Sequence, residues 1–375
     1  MAKNYASIYA SVLDSSSLNQ NVFIAKESVN GVMQAPTGSD FTFVLAGGGQ
    51  NFTQPLESSA HRSGRHNNNT IKKKKALDWN YPTYVNIDTG VAAGASEIDT
   101  GVATLWESLL GYSSVDGTGY TFDSRNDPSI TMTIFENGDM FGRQAYGCFV
   151  DACEASFPGD GEAQLNWSGF GVESFTVGIS QSVVDNNGGN TVTVATGEGK
   201  RFPVGGMVMI VEADGSVSEI YLAYYEPETI TGIDNPQTGL VGSFASTSMD
   251  TNICRSLTVS MTNNHEPVNY NFGTDGLSGS LFVPASRFEV SVSVDINMNK
   301  KTVGIYNDIQ AFLPQDITIK LGDDTSRHLE IALPRVEFGV PSISVPESGS
   351  IPVTFEGMAY QTVLDAADEV RVFYK

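Results

Sequence analysis

The sequence predicts a mainly β protein built from two tandem antiparallel β-sandwich or barrel units, each with one flanking helix, and a small β-barrel inserted between them. Two observations carry that expectation. The skeleton Gly161-x-Ala163-x-Leu165-x-Trp167-x-Gly169 recurs far downstream as Gly349-x-Ile351-x-Val353-x-Phe355-x-Gly357. The same series of elements also precedes each copy. Ile130, Met132 and Ile134 alternate, a Gly138-Asp139 turn follows, and Cys148, Val150 and Ala152 alternate. In the second half these become Ile317, Ile319 and Leu321, then Gly322-Asp323, then Leu329, Ile331 and Leu333. Side chains in a strand point to opposite faces with period two, so each series reads as successive antiparallel strands with one apolar face. A chain that repeats its own β-unit is often built for assembly.

Residues 1–30 are rich in Ser and Asn and read as an N-terminal arm with one short strand at Val22-Phe23-Ile24. The first unit runs from 31 to 172. Its helix is announced by Val102, Leu105, Trp106, Leu109 and Leu110 at helical spacing, with Asp99 or Thr100 as cap and Gly111 as stop. Residues 173–255 read as the inserted module, whose short apolar runs are separated by Gly, Asp, Asn and Pro turns, as in a small barrel. The second unit, 256–375, contains the plainest strand: Phe288, Val290, Val292, Val294, Ile296 and Met298 share one face, and Arg287, Glu289, Ser291, Ser293, Asp295 and Asn297 the other. A helix follows, with Ile305, Ile309, Phe312 and Leu313 on one side and Pro314 as its end.

At 375 residues, the chain is long enough for two or three domains. Hydrophobic residues make up 40% and charged residues only 17%, the balance of a folded protein whose outer sheet faces carry Thr, Ser and Asn. A formal charge of −22 opposes wrapping of nucleic acid, whose phosphates are bound by Lys and Arg. The same charge suits a surface that DNA passes without sticking. The three cysteines, Cys148, Cys153 and Cys254, form no C-x-x-C pair and read as reduced thiols. The N-terminus has no signal-peptide pattern, and no run approaches a transmembrane helix.

The most unusual local composition lies between His61 and Lys75. Arg62, Arg65, Lys72, Lys73, Lys74 and Lys75 gather a large share of the chain's 21 basic residues, with no acidic residue among them. Such a loop can bind nucleic acid or dock on the acidic face of an identical neighbour, and the lack of interleaved aromatics favours self-docking. Metal and cofactor sites find no support. His61, His66, His265 and His328 lack metal-ligand spacing, and Asp295-x-Asn297-x-Asn299 continues with Lys300 where a calcium loop needs Gly. Gly197-Glu198-Gly199-Lys200 lacks the first Gly of a phosphate loop, and no nucleophile elbow is present. No enzymatic activity is therefore expected.

The segment from Gly147 to Ala152 with the run GEAQLNWSGFG (161–171), and again the run from Leu333 to Ala359, resemble the closing hairpin of long-tailed bacteriophage tail tube proteins. The resemblance extends over both β-units as a pattern of strands and glycines, without a catalytic signature. It implies a structural virion protein, assembled in the bacterial host cytoplasm, whose subunits join edge to edge into rings. Stacked rings make a hollow tail tube through which DNA is ejected without specific binding. Rings of that family are usually hexameric, so two copies of the unit per chain imply a homotrimeric, pseudo-hexameric ring, with a hexamer as the alternative. Tape measure and terminator proteins become expected partners, and the inserted barrel would decorate the exterior. Glu289 and Asp295 would face the lumen, and Arg62, Arg65 and Lys72 to Lys75 the adjacent ring. Other readings are a tail hub, a capsid decoration protein, a carbohydrate-binding adhesin and a β-rich hydrolase.

Overall fold

The computed structural model describes residues 20–34, 36–58, 70–72, 75–87, 98–116, 119–124, 130–137, 142–177, 183–186, 192–194, 236–238, 242–246, 254–268, 281–323, 327–343, 345–364 and 366–375. In the first half the strands are β1 (Asn21–Lys26), β2 (Phe41–Thr42), β3 (Gly49–Thr53), β4 (Leu56–Ser58), β5 (Thr70–Lys72) and β6 (Ala76–Tyr84). Helix α1 (Thr100–Leu110) precedes β7 (Gly111–Asp116), β8 (Gly119–Ser124), β9 (Met132–Asn137), β10 (Gly142–Pro158), β11 (Gln164–Gly171) and β12 (Glu173–Val177). Three strands follow: β13 (Val183–Asn186), β14 (Val192–Val194) and β15 (Gly242–Ala245). The second half has β16 (Cys254–Thr262), β17 (His265–Val268), β18 (Leu281–Pro284) and β19 (Glu289–Asn297) before α2 (Lys300–Gln310). It ends with β20 (Gln315–Asp323), β21 (Arg327–Phe338), β22 (Pro352–Ala359) and β23 (Arg371–Tyr374).

The repeat is a repeat of strand pairing. β9 with β10, β10 with β11, β11 with β6 and β6 with β3 form antiparallel ladders in the first half. The ladders β20 with β21, β21 with β22, β22 with β19 and β19 with β16 answer them in the second. β12 lies on β10 as β23 lies on β21. The offset that relates Gly169 to Gly357 also relates Ala145 to Leu333, Cys148 to Val336 and Val150 to Phe338, since each member of a pair faces the same neighbour. The register read from alternation alone, with Cys148 beside Leu329, is therefore displaced. Alternation repeats every two residues, and a bulge between Ala145 and Cys148 inserts residues that a pattern cannot show.

The expected pair of separate sandwich or barrel units is corrected. β10 of the first half pairs with β16 of the second, from Ala152↔Thr262 to Pro158↔Ser256, so both halves contribute to one sheet in the order β3-β6-β11-β10-β16-β19-β22-β21. The described pairings branch but never return to their start, and the sheet is neither closed into a barrel nor strongly curled. Apolar faces of both halves merge into one core, from Trp79, Trp106 and Trp167 to Val292, Ile331 and Phe355. The physical cause is the β10 edge. Seven-residue register along it satisfies backbone groups that a free-standing unit would leave open.

The reading of a small inserted barrel at 173–255 falls mostly outside the described residues. Its described ends belong to the main assembly, because β12 pairs with β10 and β15 with β20. β13 and β14 form a hairpin of their own. The arm's strand is β1, which is buried from Val22 to Ala25 and pairs with β9. No described helix is long and apolar enough to cross a membrane.

Two glycines explain themselves. A Cβ on Gly169 would lie 1.9 Å from the Phe149 carbonyl oxygen, and one on Gly357 would meet the Phe338 ring at 2.6 Å. Each copy keeps a glycine there because the neighbouring strand passes too close for a side chain.

Candidate assembly interface

The seam between the halves has an apolar side and a polar side. Cys153, Ala155 and Phe157 of β10 and Leu257, Val259 and Met261 of β16 alternate into the core. Glu154, Ser256, Thr258 and Ser260 alternate to the opposite face. At its end, Asn263 pins the joint. Its Nδ2 donates to the carbonyls of Leu109 and Val150, both at 3.0 Å, and its backbone N–H to that of Asp151. The Asp151 carboxylate accepts the His265 backbone N–H at 2.8 Å, while burial raises its pKa from the ordinary value.

The exposed face of the sheet is acidic and otherwise weakly charged. Asp78, Glu154, Glu289, Asp295 and Glu356 project there among Asn80, Asn166, Ser291 and Thr354. Arg255 approaches Asp295 at 3.9 Å, and Thr354 donates to the same carboxylate at 3.2 Å. A shallow concavity of about 460 Å³ crosses the seam, lined by Asn80, Glu154, Asn166, Ser168, Ser260 and Thr262. Glu289 and Asp295 thus share one face with Asp78 and Glu154 of the first half.

The described part of the basic segment, Thr70–Lys72, lies in a hairpin extension. β4 pairs with β5 beyond the β3–β6 ladder, and β17 pairs with β18 at the equivalent place beyond β16–β19. Lys72 lies in β5, opposite Leu56. Arg62, Arg65, Lys73 and Lys74 lie outside the described residues. Lys75 is engaged within its own chain, forming an ion pair with Glu173 and lying 5.6 Å from the centre of the Phe52 ring.

Two of the buried carboxylates, Glu136 and Glu27, are saturated with donors. Glu136 is 1% exposed and accepts from Gln20 Nε2, Tyr81 Oη and Arg143 Nη2, each at 2.9 Å. Burial, then the Glu136 charge, raises the Tyr81 pKa well above its usual value, so the phenol stays a donor. Glu27 accepts from the backbone N–H of Gly31 and Gly147 and from the hydroxyls of Thr131 and Thr133. Both arrangements tie strands together, and neither holds a carboxyl in an open cleft. Burial also raises the thiols of Cys148 and Cys153, and that of Cys254 to about 11, so all three remain protonated near neutrality. No group of metal-ligating side chains occurs among the described residues.

No protein-family model matches this chain, and no curated protein is similar enough to count as a relative.

Two edges of the eight-strand order end differently from the seam. β3 pairs only with β6 among the described residues. At the other end, β21 stops at Phe338, although its counterpart β10 continues to Pro158. The continuation, Gly339 to Pro346, forms no ladder among the described residues and exposes Val340 (50%), Ile343 (39%) and Val345 (71%). Sequence reasoning missed this unfinished strand, although the Gly169-to-Gly357 offset that matches Pro158 with Pro346 was there to find it.

Proposed function

We propose that the chain is a structural subunit that polymerises as stacked rings into a bacteriophage tail tube, a hollow conduit for DNA ejection. One observation carries the reading: the two repeats already join edge to edge inside one chain, along β10 and β16. A heterologous join of this kind repeats from subunit to subunit and makes a ring when the rotation closes. With two repeats per chain, three chains give a pseudo-hexameric ring. On this reading the acidic, weakly adhesive face with Glu289 and Asp295 lines the lumen, where like charge keeps DNA from binding. Arg62, Arg65 and Lys72 to Lys74 reach the acidic adjacent ring, and Lys75 supports the hairpin through Glu173. Tape measure and terminator proteins are the further partners, and the virion is the site of action.

The test is electron microscopy of the purified protein at low and moderate salt, with solution mass measured alongside. Rings or tubes with three-fold symmetry are expected. Six-fold rings of whole chains would refute the pseudo-hexamer, and a salt-insensitive monomer would overturn the reading.

A further inference from the structure

The intrachain seam has a missing twin. β10 carries two neighbours along its C-terminal half, β11 on one side and β16 on the other. By the shared offset, Val340 corresponds to Ala152, Ile343 to Ala155, Val345 to Phe157 and Pro346 to Pro158. Phe157 is 6% exposed, whereas Val345 is 71% exposed. Among the described residues, the same strand is thus finished in one repeat and bare in the other.

The edge that would finish it can be named. β16 holds its place through Val259↔Val292, and β3 through Gln50↔Trp79. Val292 and Trp79 face Gly357 and Gly169, the corresponding glycines. β3 is therefore to the first repeat what β16 is to the second. Within one protomer, β3 and the 340–346 segment lie at opposite ends of the sheet order, so each needs a second molecule.

We infer that residues 340–346 become the missing half of β21 by pairing with β3 of a second copy of this chain, in the register of the β10–β16 seam. This rests on the ring-forming reading above and names its contact. Carried across, the seam's register sets Pro341 opposite Phe52, Ser342 opposite Asn51, and Ile343 opposite Gln50. Strand formation is coupled to docking, because an edge strand gains its backbone partners and apolar cover only on arrival of the neighbour. Until then both edges are guarded. Gln50 directs its N–H to Glu136 at 3.4 Å and its carbonyl to Arg143 Nη1 at 2.6 Å, rather than to β6. Pro341 and Pro346 withhold donors from the other edge, which keeps it from templating unrelated strands. The arriving segment takes over the Gln50 groups from these side chains.

Asn51→Cys combined with Ser342→Cys tests the register, since both positions are exposed and directly opposed side chains in an antiparallel ladder can form a disulfide. Oxidation of the assembled double variant is expected to give covalent dimers and trimers on a non-reducing gel, and neither single variant should. Val345→Lys supplies a second readout. The monomer should keep its melting temperature while the assembled fraction falls at least about tenfold, because the seam would enclose an unpaired charge. Assemblies that form normally with Val345→Lys, or that cross-link only in a register-shifted pair, would overturn this contact and leave the ring reading standing. Wild-type protein that stays monomeric at every salt would overturn both.

Discussion

The two halves of this molecule share a ladder and differ in how they are finished. The first surrounds its strands with Trp79, Tyr81, Trp106 and Trp167 and anchors them with the ion pair of Arg143 and the buried Glu136. The second relies on Val292, Val294, Ile331, Leu333 and Phe355. Only the first has the β7–β8 hairpin, which crosses over to pair with β23 of the second half, while Trp106 Nε1 donates to Tyr374 Oη at 3.2 Å. The first half's trailing strand is covered by the chain itself, and among the described residues the second half's is not. The contrast separates what stabilises the protomer from what is left for a neighbour.

The largest expected difference comes from matched positions in the two trailing strands. Phe157→Ala should cost about 3–5 kcal/mol of unfolding free energy, since its ring is lost from the core. Val345→Ala should stay within about 0.5 kcal/mol, as for other exposed positions. Denaturant titration of the two variants in the monomeric state checks this, and equal losses would end the comparison.

Breaking the anchor peculiar to the first half comes next. Arg143→Ala leaves Glu136 buried without its cation and should cost about 3 kcal/mol, whereas Arg335→Ala, whose Glu337 partner is 45% exposed, should cost less than about 1 kcal/mol. Thermal melts at low and high salt distinguish them, because only the exposed pair is screened.

The matched glycines sharpen the comparison further. Gly169→Ala places its methyl against backbone oxygen and should cost about 3 kcal/mol. Gly357→Ala meets the Phe338 ring at 2.6 Å and the Glu337 carbonyl oxygen at 2.9 Å, both looser than the contact at Gly169, and should cost about 1–2 kcal/mol.

The smallest effect is electrostatic. Burial raises the Asp151 pKa in the folded state above its unfolded value, so its contribution favours folding below the unfolded pKa and is lost as pH rises through the folded one. Asp151→Asn keeps an acceptor for the His265 N–H, and should flatten that dependence with a gain near neutrality of about 0.5 kcal/mol or less, since the group is half buried. A pH series of melts on both proteins reads it.

Much of this was legible in the sequence. The alternation from Phe288 to Met298 contains β19, and Val102, Leu105, Trp106, Leu109 and Leu110 are all buried along α1, which ends at Gly111 with φ 83°. The repeated Gly-x-apolar skeleton located β11 and β22. What failed was whatever depends on partners distant along the chain. Period-two patterns do not state which strand lies alongside, so β10 and β16 gave no sign of joining the halves. The expected apolar side of α2 broke down too: Ile305 and Ile309 are buried, but the helix stops at Gln310 and Phe312, at φ 55°, is 84% exposed. For the interface, composition drew attention to the basic segment between His61 and Lys75. The bare 340–346 segment carries no unusual composition, and becomes visible only against its finished twin.

The most direct measurement is hydrogen exchange on the monomer and on the assembly, read by peptide. Backbone amides in 254–262 and 152–157 should be protected in both states. Those in 340–345 should gain protection only on assembly. Free exchange at 340–345 in the assembled state would contradict the account.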